Sequence, residues 1–322
     1  MVDQQQLVPK DHWPGPEGVI PVTDGRADDA NVHARRYLDR LLVEMRLIDS
    51  VKPNLTTTIF GHQYGSPLAL AAVSHLNTVL DDQSRQPMEE KAAAAKQFGL
   101  LNWVGMESDE DFAQIEAAGA DTVRIIKPFA DHQKIIDQIK FAEQHGAVAV
   151  GIDIDHVPGE DGGYDMVEGQ AMSPLTFEDL KHYVHSTKLP FIAKGVLSVQ
   201  DAQKAEAAGC SAIVVLHHHG RVPFGVPPLA MLPKIKQAVA HSGMAIFADG
   251  SLITGYDAYK ALALGADAVL IGRGILKELL DQGRQGAVDK LKLMNQQLSQ
   301  LMLYTGVKNT QSFDSTVLHL ER

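Results

Sequence analysis

The sequence predicts an α/β protein, a single (β/α)8 TIM barrel with an N-terminal helical arm, and three observations carry that prediction. First, a phrase made of a helix end, a glycine and an apolar run occurs four times: EAAGADTVRII at 116–126, EQHGAVAVGID at 143–153, EAAGCSAIVVL at 206–216 and ALALGADAVLI at 261–271. The glycine ends the helix in a left-handed turn that no Cβ opposes, and the apolar run reads as a strand buried on both faces. Repeats of this kind stack into a parallel sheet. Second, residues able to do chemistry fall just past the strand ends: Asp153, Lys194, His217, His218, Arg221, Asp249 and Arg273. In a βα-barrel that rim is where active sites are built. Third, a chain of 322 residues holds the roughly 250 residues of such a barrel with room for an extension and one long loop.

In chain order, residues 1–30 are rich in Pro, Gly, Asp and Gln and read as a flexible arm. The barrel domain is expected over 31–322. HARRYLDRLLVEMRLI at 33–48 has apolar residues at helical spacing. TTTIF at 56–60 is β-branched and aromatic, punctuated by Gly61 and Ser66-Pro67. PLALAAVS, 67–74, is the first barrel strand; MEEKAAAAKQFG, 88–99, is a helix with a glycine stop; LLNWVGM is the second strand. Strands three and four belong to the repeats. HVPGEDGGYDMVEGQAMS, 156–173, is too polar and glycine-rich for a core element and reads as a long mobile loop. LTFEDLKHYVHSTK is the fourth helix, LPFIAKG at 189–195 the fifth strand, and the sixth strand ends at three histidines. AIFADG at 245–250 and AVLIGR at 268–273 complete the eight, and an amphipathic helix from ILKELL onward closes the chain.

Composition narrows the function classes. A formal charge of −11 without a local basic stripe argues against nucleic-acid binding. The lone Cys210 excludes an intramolecular disulfide and fits a reducing, cytoplasmic setting. Residues 1–20 have no secretory pattern, and no apolar run is long enough for a membrane span.

The rim residues form several constellations. Asp249-Gly250 and Gly272-Arg273 follow the seventh and eighth strands, the usual phosphate position of such barrels, where helix-start N–H groups and a guanidinium meet an anion. The plainer alternative is two turn glycines and a surface ion pair. Lys194, ending FIAKGV, faces the mouth or a partner and places a cation where an anion develops; the alternative is a solvent-facing loop lysine. One of His217, His218 and His219 suits a general base near neutral pH, against the alternative of a polar loop. No metal is assigned to this run, because adjacent loop residues rarely converge on one ion. Arg221 is placed to hold a carboxylate in a bidentate fork. Asp153 in GIDID, with Asp155 and His156 beyond it, suits the support of an imidazolium or a loop cap.

In this order the residues resemble the FMN-dependent α-hydroxy-acid oxidase and dehydrogenase family, which includes glycolate and lactate oxidases. The resemblance is most specific over 188–309, through LPFIAKGVLSVQDAQKAEAAG, AIVVLHHHGR and DGSLITGYDAYKALALGADAVLIGRGIL, and reaches back to about residue 34. It implies FMN as cofactor and a 2-hydroxy acid or related small carboxylate as substrate. It implies that His218, paired with Asp153, takes a proton from the substrate, that Arg221 holds the carboxylate, and that Lys194 faces the flavin N1/O2 edge. Asp249, Gly250, Ser251, Gly272 and Arg273 are implied for the ribityl phosphate, with Ala72 and Arg124 as further cofactor contacts and a homotetramer as the assembly. Several family positions differ. The glutamine and tyrosine of the third strand fall near Arg124 and Ile126, a threonine is Gly151, a serine is Gly105, one phosphate-binding arginine falls near Ile253, and the second carboxylate-binding arginine is missing from HVPGEDGG. His156, Arg124 and His62 are the alternatives for holding a different substrate. A flavin-dependent isomerase or lyase without net redox, a non-catalytic FMN- or phosphate-binding homologue, and an unrelated barrel taking a phosphorylated substrate are the rival functions.

Overall fold

The structure is a computed structural model that describes residues 27–82, 84–159 and 161–321. The expected arm therefore lies almost wholly outside the described residues. Eight parallel strands close into a barrel in sequence order: β1 (Leu68–Val73), β2 (Leu101–Val104), β3 (Thr122–Ile126), β4 (Ala149–Asp153), β5 (Phe191–Val196), β6 (Ala212–Val215), β7 (Ala245–Ala248) and β8 (Ala268–Ile271). All eight coincide with strands expected from the sequence. The reason is visible at the repeated glycines. Gly119, Gly146, Gly209 and Gly265 have φ of +78°, +89°, +91° and +113°, the left-handed region in which each preceding helix ends.

Strand alternation separates two cores. Val123 and Ile125 of β3, Ile192 of β5, Val214 of β6 and Phe247 of β7 fill the interior with Trp103 of β2. Val150, Ile152, Ala193, Ile213 and Val215 face the surrounding helices instead. The Trp103 and Phe247 rings meet edge-on at 4.9 Å. An antiparallel hairpin, Thr57–Ile59 with His62–Tyr64, plugs the N-terminal end of the barrel. Ile59 and Tyr64 join the interior cluster, and the Tyr64 hydroxyl donates to Asp121 just ahead of β3 at 2.9 Å.

The expected 33–48 helix is corrected. Helix α1 spans Ala30–Asp39, and Leu41–Val43 then forms a strand antiparallel to Leu318–Leu320. Helical spacing continues past Asp39, but backbone pairing with the chain's far end satisfies those N–H groups better than another turn would. Helix α1 docks against the rim loops. Arg35, 3% exposed, reaches Asp257 at 2.8 Å and the Ser251 carbonyl at 3.2 Å.

The 156–173 segment carries more pairing than its composition suggests. Met166–Val167 pairs with Gln170–Ala171, and Pro158 bridges Tyr164. It is stitched to the body near its C-terminal end by a Phe129–Met172 bridge and at its middle by Asp165, whose role follows below.

Candidate active site at the C-terminal rim

Two regions make up the rim site. The first lies past β7 and β8. Asp249 and Gly250 end β7, and Gly272 caps the helix (α2, Arg273–Tyr304) that follows β8. Gly250 turns at φ +102° and Ser251 at φ +61°, so the backbone folds sharply into the pocket. Gly250 N–H donates to Asp249 Oδ1 at 2.6 Å. The pocket is walled by Ala71, Val73 and Leu216 and lined by Asp249, Gly250, Ser251, Leu252, Ile253, Gly272 and Arg273. Arg273 donates through Nη2 to Asn31 of α1 at 2.8 Å, while its Nη1 is buried without a hydrogen-bond partner. Ser251 Oγ and His217 Nε2 are likewise buried and unpartnered. Buried polar atoms are almost always paired, so this group is a donor set that an anion would satisfy. A guanidinium, a hydroxyl and a helix start form a donor set suited to a phosphate. Burial and the neighbouring Arg273 pull His217 down to about 4, so its imidazole is neutral. Burial raises Asp249, with Lys194 opposing.

The second region is a closed network of charges past β3 to β6. Asp153 ends β4 and lies opposite Lys194 of β5 in the parallel register. Its Oδ1 accepts from Lys194 Nζ at 2.5 Å, and its Oδ2 accepts from Lys127 Nζ at 2.7 Å. Burial works against this carboxylate, but Lys127, Lys194 and His218 hold it well below the usual range. His218 opens a short 3-10 turn at φ +40°, a conformation strained for a non-glycine residue. Its Nδ1 is 2.8 Å from Asp155 Oδ1 and 3.6 Å from Asp153 Oδ1. The expected His218–Asp153 pair is therefore second in closeness to His218–Asp155. The Lys-Gly step explains why Asp155 fits, because a Cβ at Gly195 would run into the Asp155 carboxylate. Burial, then Lys194, Lys127 and Arg221, hold His218 well below its ordinary value against the pull of Asp153. Burial pushes Asp155 up to about 7, and Asp153 adds to the shift.

Arg221 is spoken for. Its Nη2 donates to Asp165 of the 156–173 segment and to the Pro158 carbonyl, and its Nη1 lies 3.0 Å from His156 Nε2. His156 stands edge-on to His218, with ring centroids 4.7 Å apart, and burial with the surrounding cations brings it to about 3. Asp153, His156 and His218 bring ligand atoms within 4.8 Å of one another, the one such group among the described residues. Lys127 Nζ already contacts all three residues, so an ammonium stands where a metal cation would.

Other sequence expectations fare unevenly. Ala72 sits at the register shift of β1 and packs against the interior cluster, at the rim. Arg124 is a correction: it points outward. Its guanidinium lies over the Phe112 and Phe141 rings at 4.9 and 5.6 Å and pairs with Asp109 at 2.6 Å, beneath the outer helices. The inward residues of β3 are Val123 and Ile125, so alternation moves the two family positions by one, onto Ile125 and Lys127. Gly151 has no space for a larger side chain, since a Cβ would lie 2.6 Å from the Ile192 carbonyl and 2.9 Å from Ile125 Cδ1. The space at Gly105 is taken by Ser74, whose Oγ accepts from Met106 N–H at 2.7 Å. His62 lies on the plugging hairpin beside Asp121, at the opposite end from the rim, and so leaves the list of substrate contacts. Sequence reasoning missed Lys127 and Asp165. Strand alternation read outward from β3 identifies the first; a loop carboxylate carries no such signal.

An anion cradle at the β7–β8 rim beside a buried His–Asp–Lys cluster defines a (β/α)8 barrel with a phosphate-type anchor and an acid–base cluster in one mouth. The comparisons give the family. A model of the FMN-dependent dehydrogenases matches residues 16–161 and 158–320, and the chain belongs to that family, with FMN as its cofactor. An L-lactate oxidase from a Nostoc species is 30% identical over 336 residues, covering 92% of each chain. Human 2-hydroxyacid oxidase 1 is 36% identical over 162 residues, half of this chain and 44% of its own. A mandelate oxidase structure superposes with a TM-score of 0.80 at 28% identity, covering 96% of this chain and 92% of that one.

Proposed function

We propose that this protein oxidises a 2-hydroxy acid to the 2-oxo acid, with His218 as the proton acceptor. The observation that carries the reading is a buried, neutral imidazole whose Nδ1 is fixed by Asp155 at 2.8 Å, beside three cations and the anion cradle. Donation from Nδ1 to Asp155 leaves the Nε2 lone pair to receive a proton. The imidazolium so formed is stabilised by Asp155 and, at longer range, by Asp153. Asp153 also fixes both lysines, and Lys194 holds a buried positive charge against the cofactor's side of the site. Arg221 receives the substrate carboxylate once it exchanges Asp165 for it. FMN, when bound, supplies the two-electron acceptor; Arg273, Ser251 and the α2 start hold its phosphate.

The relatives' substrates, lactate, mandelate and other 2-hydroxy acids, support this class. The resemblance further supports a homotetramer, which sedimentation at a monomer's mass would refute, and the lone cysteine fits a reducing, cytoplasmic setting. No helix among the described residues is long and apolar enough to cross a membrane. The test begins with the colour of the purified protein and identification of the released cofactor. Anaerobic mixing with a panel of 2-hydroxy acids should then bleach the visible flavin absorbance and yield the 2-oxo acid. Protein that cannot be loaded with FMN, or loaded protein that no 2-hydroxy acid bleaches, would overturn the proposal.

A further inference from the structure

Lys127 follows β3 and continues its inward series from Val123 and Ile125, so the barrel itself aims it at the mouth. It is 8% exposed, and an ammonium has three N–H groups to place. Two are held at short range, by Asp153 Oδ2 at 2.7 Å and His156 Nδ1 at 2.8 Å. The third has only His218 Nε2 before it, at 3.5 Å, too long for a strong bond.

The network assigns the tautomers. His156 Nδ1 faces the Lys127 ammonium at 2.8 Å and therefore carries the lone pair; its Nε2 then donates to Asp165 Oδ2 at 3.0 Å, and Arg221 Nη1, also 3.0 Å from that nitrogen, approaches it without a hydrogen bond. His218 donates from Nδ1 to Asp155, so its Nε2 lone pair faces the third N–H of Lys127. A donor and a base therefore converge on one point. A hydroxyl whose proton is directed at Nε2 has its oxygen within reach of the Lys127 ammonium.

Resting on the hydroxy-acid reading above, we propose that Lys127 is a catalytic residue that binds the oxygen being oxidised. Its third N–H meets the substrate's 2-oxygen while Arg221 holds the carboxylate. As the O–H bond breaks, the proton passes to His218 Nε2 and the bonding pair stays on oxygen. That pair closes to the C=O bond as the C–H bond breaks, and FMN, when bound, would be the acceptor for the hydrogen and its two electrons. The ammonium keeps its proton throughout and stabilises the charge gathering on oxygen. Asp153 retains Lys194 as a partner when Lys127 turns toward the substrate, so no carboxylate is stranded.

The test is calorimetric titration of the FMN-loaded protein with matched acids that differ only at the 2-position: pyruvate against propionate, and benzoylformate against phenylacetate. The wild type should bind each 2-oxo acid more tightly than its plain partner. Lys127→Met should weaken 2-oxo acid binding about 10- to 100-fold, the range of a charged hydrogen bond, with the plain acids changed less than about twofold. Lys127→Gln, which keeps an N–H donor and guards against a folding defect in the methionine variant, should show a smaller loss of the same selectivity. Equal losses for both members of a pair would assign Lys127 to the carboxylate or to the scaffold and overturn the proposal. So would undiminished discrimination in both variants, or a wild type that binds the paired acids equally. A wild type that binds neither member of either pair would sink the hydroxy-acid reading itself, and this assignment with it.

Discussion

At the β7–β8 end of the rim, Ser251 Oγ, Arg273 Nη1 and His217 Nε2 are buried without partners; at the β3–β6 end, Lys127, Lys194 and Arg221 are each met by a carboxylate of the same chain. The first region leaves its donors open for an anion and pays a desolvation cost until the anion arrives. The second has already satisfied its cations, so a substrate carboxylate gains only what it wins by exchange. Asp165 makes the exchange concrete: a carboxylate of the chain sits on the very guanidinium proposed for the substrate's carboxylate. Cofactor affinity should therefore depend on few residues in the first region, whereas turnover should depend on the second through coupled partners.

His218→Ala separates the two regions most sharply. Turnover should fall about 10²- to 10⁴-fold, the usual worth of a general base, while the protein stays coloured; a variant with near-normal turnover, or one that loses FMN, breaks the division. Arg273→Leu is the converse. Removing a buried guanidinium from the cradle should weaken FMN about 10- to 100-fold, read by fluorescence of cofactor released on dilution, with thermal stability measured alongside. Unchanged retention would show that the phosphate lies elsewhere. The mildest effect is in the pH profile. Burial raises Asp155 to about 7, so the carboxyl is protonated below that pH and ionised above it. Only the ionised form supports an imidazolium, so kcat/KM should rise with pH through about 7, roughly tenfold per unit on the acid side. In Asp155→Asn that limb should vanish; an unaltered limb would assign the titration to another group.

Four of the eight strands, β3, β4, β6 and β8, were legible because each is announced locally, by a glycine that takes positive φ and an apolar run behind it; the other four were legible as apolar runs bounded by turn residues. The phosphate cradle was legible for a related reason: Asp249, Gly250 and Ser251 are contiguous at one strand end, and Gly272, Arg273 and a helix start are contiguous at the next. The charge network was only half legible. Asp153, Lys194, His218 and Arg221 could be picked out one at a time, but their partners are set by distance in space. Asp155 outranks Asp153 at His218 because Gly195 opens room for it, a contact across 40 residues of chain. Arg124 was misplaced because a one-residue shift along a strand turns a side chain to the other face. The helix expected over 33–48 was cut short by a strand partner at the other end of the chain, which periodicity has no means of showing.

That pairing, Leu41–Val43 with Leu318–Leu320, also governs when the molecule can be finished. Residues 41–43 are synthesised almost a whole chain before their partners exist, and β1 likewise waits for β8. Helix α1, which carries the Asn31 contact to Arg273 and the Arg35 contact to Ser251, is tethered next to the early half of that seam. Contacts of such high sequence separation form late and slowly. The anion cradle is therefore among the last parts of the protein to be assembled, and loading of the cofactor belongs to the end of folding.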